Sequence, residues 1–264
     1  MRNSMISRGF LMSLAIAAAG CVGASSDSAV AEDADESASV TSTESALTAE
    51  LSDEVAQPMS ATTEQLAADA TVRVPKAFLP SSCVVAVQAG PKVTYTLTNC
   101  TGPFGLVTVS GTLVATYSRT NSGAVQAVIT GTGLKANKST IDVNATVIAT
   151  KSGSTKSADV TSSASGTGPR GIALSRDGQY TVTYDSETSC ATVNGSWKTD
   201  VGSRSSSTTV TNYARCKGAC PTSGTIVHDT PRNTSVTVTY SGAETAAWST
   251  SAGRSGTVNL ACSK

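Results

Sequence analysis

Aromatic side chains are scarce in this chain: three Phe, two Trp and six Tyr in 264 residues. A core must therefore come mainly from Val, Ala, Leu, Ile and Tyr. There is one histidine, His228, and no phosphate loop or Gly-x-Ser-x-Gly elbow. The strand–turn–helix sites of nucleotide-binding proteins and α/β-hydrolases are thereby excluded, and convergent titratable groups for acid–base work are few. No nucleic-acid-binding motif occurs. Residues 22–71 lack lysine and arginine altogether, and no convincing helical periodicity follows them.

What is present begins with an address. Arg2 and Arg8 precede an apolar run over 10–19 that is too short to cross about 30 Å of hydrocarbon and reads as a secretory signal over 1–20. It ends at Ala18-Ala19-Gly20-Cys21, similar to the lipobox of bacterial lipoproteins, with Ala18 where leucine is usual. That similarity implies that Cys21 becomes the acylated first residue, held to a membrane by chains that contribute about 0.8 kcal/mol per buried CH₂. Val22 stands in place of aspartate after the cysteine, which by the same resemblance to bacterial lipoproteins argues against retention in the inner membrane and implies the outer one. Residues 21–71 then read as a disordered tether: eleven acids among Ser, Thr and Ala repel one another and bury too little apolar surface to offset ordering entropy.

Residues 72–264 form the expected folded part. Eleven of the nineteen acids lie in the tether, leaving eight here against seventeen Lys and Arg, a net charge of +9. This balance suits an anionic envelope polysaccharide, although basic residues also solvate strands and guard edges. The most legible stretch is 92–118. Val93, Tyr95 and Leu97 alternate with threonines, as do Val109, Leu113, Ala115 and Tyr117, the period of strands with one buried face. Cys100-Thr101-Gly102-Pro103-Phe104-Gly105 between them must turn. Further alternation falls at Val125 to Ile129, Ile141 to Ala149, Tyr180 to Tyr184, Ala191 to Trp197, Val236 to Tyr240 and Val258 to Leu260. Turns are expected at 120–123, 152–154, Asp177-Gly178, Val201-Gly202 and Ala252-Gly253. About a dozen strands and short turns specify an all-β, mainly antiparallel meander, either a sandwich or one large curled sheet.

Pieces recur at irregular spacing. Val-Thr-Tyr occurs at 93–95, 182–184 and 238–240, and Ser-Gly-Thr at 110–112, 165–167, 223–225 and 255–257. Reuse of one hairpin type fits better than a fixed-period solenoid. Apart from Cys21 six cysteines remain, an even set that reads as disulfides in an exported chain. A turn at Gly90-Pro91 sets Cys83 opposite Cys100, and one near Val201-Gly202 sets Cys190 opposite Cys216, leaving Cys220 with Cys262. The alternative pairs Cys216 with Cys220 and Cys190 with Cys262. A zinc set of Cys190, Cys216, Cys220 and His228 is the competing chemistry.

Catalytic candidates are thin. His228, after a strand and before Asp229 and Pro231, reads as a surface turn residue. Asp185 and Glu187, with Asp177, resemble a calcium or glycosidase set but also ordinary charged turn tips. Trp197, Trp248 and Tyr213 would make a sugar-stacking platform on an exposed face and core on a buried one. No catalytic residue, cofactor or metal is expected.

The lipobox, the acidic linker, Asn99-Cys100-Thr101-Gly102-Pro103, the Ser-Gly-Thr strand starts and Cys216/Cys220-Pro221 together resemble uncharacterised β-rich envelope lipoproteins of Gram-negative bacteria, above all myxobacterial ones. The resemblance implies a location and a sheet architecture, and no functional residue except the lipidated Cys21. The expectation is a non-enzymatic structural or binding domain on a lipid anchor. A carrier with the sheet curled round an apolar ligand, and an extracellular hydrolase, are the alternatives.

Overall fold

The computed structural model describes residues 61–101, 108–168 and 170–260. The signal segment, Cys21, most of the tether, the 102–107 turn and Cys262 lie outside them. Within the described residues one helix, α1 (Thr63–Arg73), precedes thirteen strands: β1 (Val84–Ala89), β2 (Lys92–Thr101), β3 (Thr108–Arg119), β4 (Val125–Ala136), β5 (Ser139–Ser152), β6 (Thr155–Thr167), β7 (Ala173–Asp185), β8 (Cys190–Val201), β9 (Arg204–Cys216), β10 (Pro221–Asp229), β11 (Ser235–Tyr240), β12 (Thr245–Thr250) and β13 (Ser255–Asn259). Each strand pairs with the next in sequence, giving a single antiparallel meander, curled and unclosed, rather than a sandwich.

Alternation sends one residue set inward and the next outward. Val93, Val109, Val125, Val147 and Val160 are fully enclosed on the inner face, whereas Thr94, Thr96, Thr161 and Ser163 lie outward. Burying each such valine contributes about 1.5–3 kcal/mol. The register breaks at Leu97/Cys100, Ser110/Leu113, Gly131/Leu134 and Val193/Gly195, and such bulges increase local twist and bend the strand, as a curled sheet needs.

The repeated Ser-Gly-Thr acquires a reason here. Its glycine lets an adjoining strand approach closely: a Cβ would meet Leu134 at Gly111, Thr140 and Ile141 at Gly166, the Tyr213 backbone at Gly224 and the Trp248 ring at Gly256. At Gly256 a Cβ would stand 2.9 Å from the Trp248 indole nitrogen. Gly178 and Gly195 repeat the device against Trp197 and Tyr180. With few aromatic residues available, the fold seats them against glycine backbone, where strand glycines commonly mark close approach.

Helix α1 occupies residues that composition assigns to the tether. Thr62 accepts from the Gln65 backbone N–H while the Gln65 side chain accepts from Thr62 N–H, a capping box. Leu66, Ala67 and Ala70 are buried with Val74 and Phe78 in the same apolar cluster as β1–β7, and the helix packs on β1, β2 and β3. Arg119 donates to the Ala61 and Gly123 carbonyls, fixing the start of the described chain at the end of the sheet that carries the β1–β2 and β3–β4 turns. A smaller cluster of Val193, Val210, Tyr213, Ile226, Tyr240 and Ala246 serves the later strands. Tyr213 and Tyr240 meet edge to face at 5.1 Å between ring centroids.

Two disulfides match the register argument. Cys83–Cys100 ties the entry of β1 to the end of β2, and Cys190–Cys216 closes the β8–β9 pair. Cys220 is disulfide-bonded, and Cys262, its expected partner, lies outside the described residues. One expected turn is corrected. Asp177-Gly178 sits in the middle of β7, paired on one side with Ser163 and Ser162 and on the other with Lys198 and Trp197. Its glycine gives Trp197 room, since a Cβ there would lie 3.2 Å from the Trp197 Cβ.

Candidate functional site

Strands β5 to β9 build a polar surface. Two register rows cross them on the outward face: Asn144, Ser163, Asp177, Lys198 and Ser207 in one, and Thr146, Thr161, Gln179, Ser196 and Thr209 in the other. These ten side chains line an open groove of about 670 Å³. Its floor is the strand backbone at Ser162, Gly178 and Trp197, whose side chains belong to the opposite face by alternation. Four inter-strand steps of about 4.8 Å make it about 19 Å long. In line with it the second row meets Val128 on β4 and Val227 on β10, whereas the first continues through Thr130 on β4 and Asp229 on β10.

The groove is rich in hydrogen-bonding capacity and poor in net charge. Asn144 and Gln179 each offer donors and an acceptor, and the hydroxyls serve as either. Among the described residues Asn144, Thr161, Gln179 and Ser196 make no side-chain hydrogen bond to the fold. Asp177 and Lys198 are register neighbours of opposite sign. Lys198 also pairs with Asp200 at 3.0 Å. The Asp200 carboxyl lies below its usual range, through the Ser205 hydroxyl first and Lys198 second.

Beneath the floor the inner face is unusually polar. Arg176 is 4% exposed, with its guanidinium 5.0 Å from the Trp197 ring centroid, an attraction of up to about 2 kcal/mol when desolvated. Beside Trp197 lies Thr208, buried, with its Oγ1 2.9 Å from His228 Nδ1. His228 is therefore not a turn residue. It lies within β10, points inward and is half-buried, and burial holds its pKa below the ordinary value against the opposing pull of Asp229. Asp229 faces outward and accepts from the Ser207 hydroxyl, so it does not orient the imidazole, and among the described residues no serine-type triad assembles around His228.

The other sequence candidates separate. Asp185 staples the β7–β8 turn, accepting from the Glu187 backbone N–H and the Thr188 hydroxyl, and these bonds, in that order, lower its pKa. Asp177 lies eight residues back along the same strand, roughly 26 Å away at strand rise, so the proposed carboxylate set does not converge. The zinc set fails because Cys190 and Cys216 are bonded to each other, and among the described residues no group of three or more His, Cys, Asp or Glu is placed to hold a metal. Trp197, Tyr213 and Trp248 all face inward and make no exposed platform.

Sequence reasoning missed the groove residues. Their signal was available in the unbroken run of Ser, Thr, Asn, Gln and charged residues at the outward positions of β5–β9, but polar strand faces read as plain solvation. No protein-family model, curated protein or solved structure matches this chain.

Proposed function

We propose that this is a lipid-anchored cell-envelope protein, held to the membrane through Cys21, whose β domain is a non-enzymatic binding module with the β5–β9 groove as its binding face. The ligand is a neutral polyhydroxylated chain, such as an oligosaccharide. The observation that carries this reading is the groove itself: ten contiguous polar side chains of near-zero net charge, rich in amides and hydroxyls, over about 670 Å³. Amide and hydroxyl groups in such density pair naturally with vicinal hydroxyls. An apolar ligand in the groove would strip water from them without replacing its hydrogen bonds; the carrier reading needs a cavity on the inner face instead, where Val93, Val109, Val125, Val147 and Val160 are already enclosed. The separation of His228, Asp177 and Asp185 supports binding over hydrolysis.

The test is calorimetric titration of the full chain with soluble neutral glucan oligosaccharides. Binding that falls at least about tenfold in Gln179→Ala with Asn144→Ala, the loss of one to two hydrogen bonds, supports the proposal. Hydrolysis of the sugar, or binding indifferent to both substitutions, refutes it.

A further inference from the structure

One end of the sheet carries a regular row of cations on turns that hold no acid. In a meander alternate turns fall on one end, and five successive turns opposite the entry of the described chain each carry one exposed cation. These are Lys138 between β4 and β5, Arg170 between β6 and β7, Arg204 at the start of β9, Arg232 between β10 and β11, and Arg254 between β12 and β13. None of the five connecting segments contains Asp or Glu. The carboxylates nearest this end lie on the strands and are engaged. Asp142 accepts from Gly133 N–H at 2.6 Å, Asp200 pairs with Lys198, and Asp229 accepts from Ser207. The opposite end is mixed, with Asp185, Glu187 and Glu244 among Lys92, Lys151, Lys156 and Lys217.

We propose that this row of turns is a second binding surface, for a carboxylate-bearing polysaccharide chain. Successive cations stand two strands apart, and the row extends for eight inter-strand steps, about 38 Å along the sheet, which fits an extended polyanion better than a compact ligand. Four of the five are arginine, whose planar fork matches carboxylate oxygens in pairs. The turn tips hold no aromatic residue for stacking bases, and their one large apolar residue, the partly buried Ile172, is far short of the apolar face of a membrane-surface helix. The described chain enters at Ala61, at the other end of the sheet. With the anchor proposed above, the row faces away from the attachment point. The surface is independent of the groove.

The experiment measures binding of the full chain to polygalacturonate across salt concentration, with neutral dextran, single-stranded DNA and phosphatidylglycerol vesicles as alternatives. Three full-length variants are compared. One carries Arg204→Ser, Arg232→Ser and Arg254→Ser; a second carries lysine at these three positions; the third carries Lys151→Ser, Lys156→Ser and Lys217→Ser at the opposite end. The proposal expects salt-sensitive binding to polygalacturonate, weakened about tenfold or more in the first variant and less than about twofold in the third. The lysine variant retains most of it. Unchanged melting temperatures establish that the variants fold. Absence of polygalacturonate binding, equal losses in the first and third variants, or tighter binding to DNA or vesicles than to polygalacturonate overturns it. Gln179→Ala leaves this binding unchanged, which separates failure here from failure of the groove.

Discussion

Val160 and Thr161 are neighbours on β6 and face opposite sides of the sheet. Val160 is fully enclosed between Val147 and Tyr180, its partners on β5 and β7, whereas Thr161 lies in the groove between Thr146 and Gln179. Val160→Ala removes two buried carbons, about 1.6 kcal/mol at 0.8 kcal/mol per group. Space left unfilled by a β scaffold that cannot collapse raises the loss to roughly 2–3 kcal/mol. At about 2–4 °C per kcal/mol for a domain of this size, the melting temperature falls by roughly 5–10 °C. Thr161→Ala changes stability by no more than about 0.5 kcal/mol, as for surface sites, and weakens oligosaccharide binding instead. Urea and thermal unfolding of both variants, with calorimetric titration alongside, separates the effects. Comparable destabilisation by the two, or a larger loss for Thr161→Ala, would refute the register on which both faces depend.

Other consequences follow from the same arrangement. Gly195→Ala drives a Cβ against the Tyr180 side chain and backbone and costs roughly 1–3 kcal/mol, seen as a lowered urea midpoint; a neutral outcome would mean that β8 does not approach β7 as described. His228 is held neutral by burial, so its contribution is complete above its ordinary pKa of about 6.5 and is lost as pH falls below it towards the lower folded value. In His228→Gln the stability lost over that acid window shrinks, as denaturation at stepped pH would reveal. Tyr240 behaves in the opposite sense: burial, with Tyr213 beside it, pushes its pKa up to about 12. Its stabilising effect is intact below pH 10 and disappears between about 10 and 12. Phenolate absorbance at stepped alkaline pH should include a tyrosine that ionises late, and Tyr240→Phe should remove it.

Much of the sheet is legible in the chain because alternation of Val, Tyr and Leu with Thr is a local signal, and both described disulfides follow from turns that glycine and proline mark. Helix α1 is harder to read. Its neighbours share the acidic Ser/Thr/Ala composition of a tether, and its only local marks are the Thr62/Gln65 capping box and three small or apolar residues on one face. Strand β6 has few large apolar residues and takes its place from pairing with β5 and β7. Asp177-Gly178 looks like a turn because Asp-Gly usually is one, yet the glycine is demanded by Trp197, a residue nineteen positions later. For the same reason the groove is invisible along the chain: its ten residues come from five strands, and only the register sets them side by side.

The most direct test of the central claim is a nuclear magnetic resonance titration of the full chain with a neutral glucan oligosaccharide. The account predicts saturable amide shifts confined to the outward rows of β5–β9, with the Asn144 and Gln179 side-chain amides among the largest and the His228 ring unmoved. Shifts centred on the apolar inner face, or no shift at any accessible concentration, would contradict it.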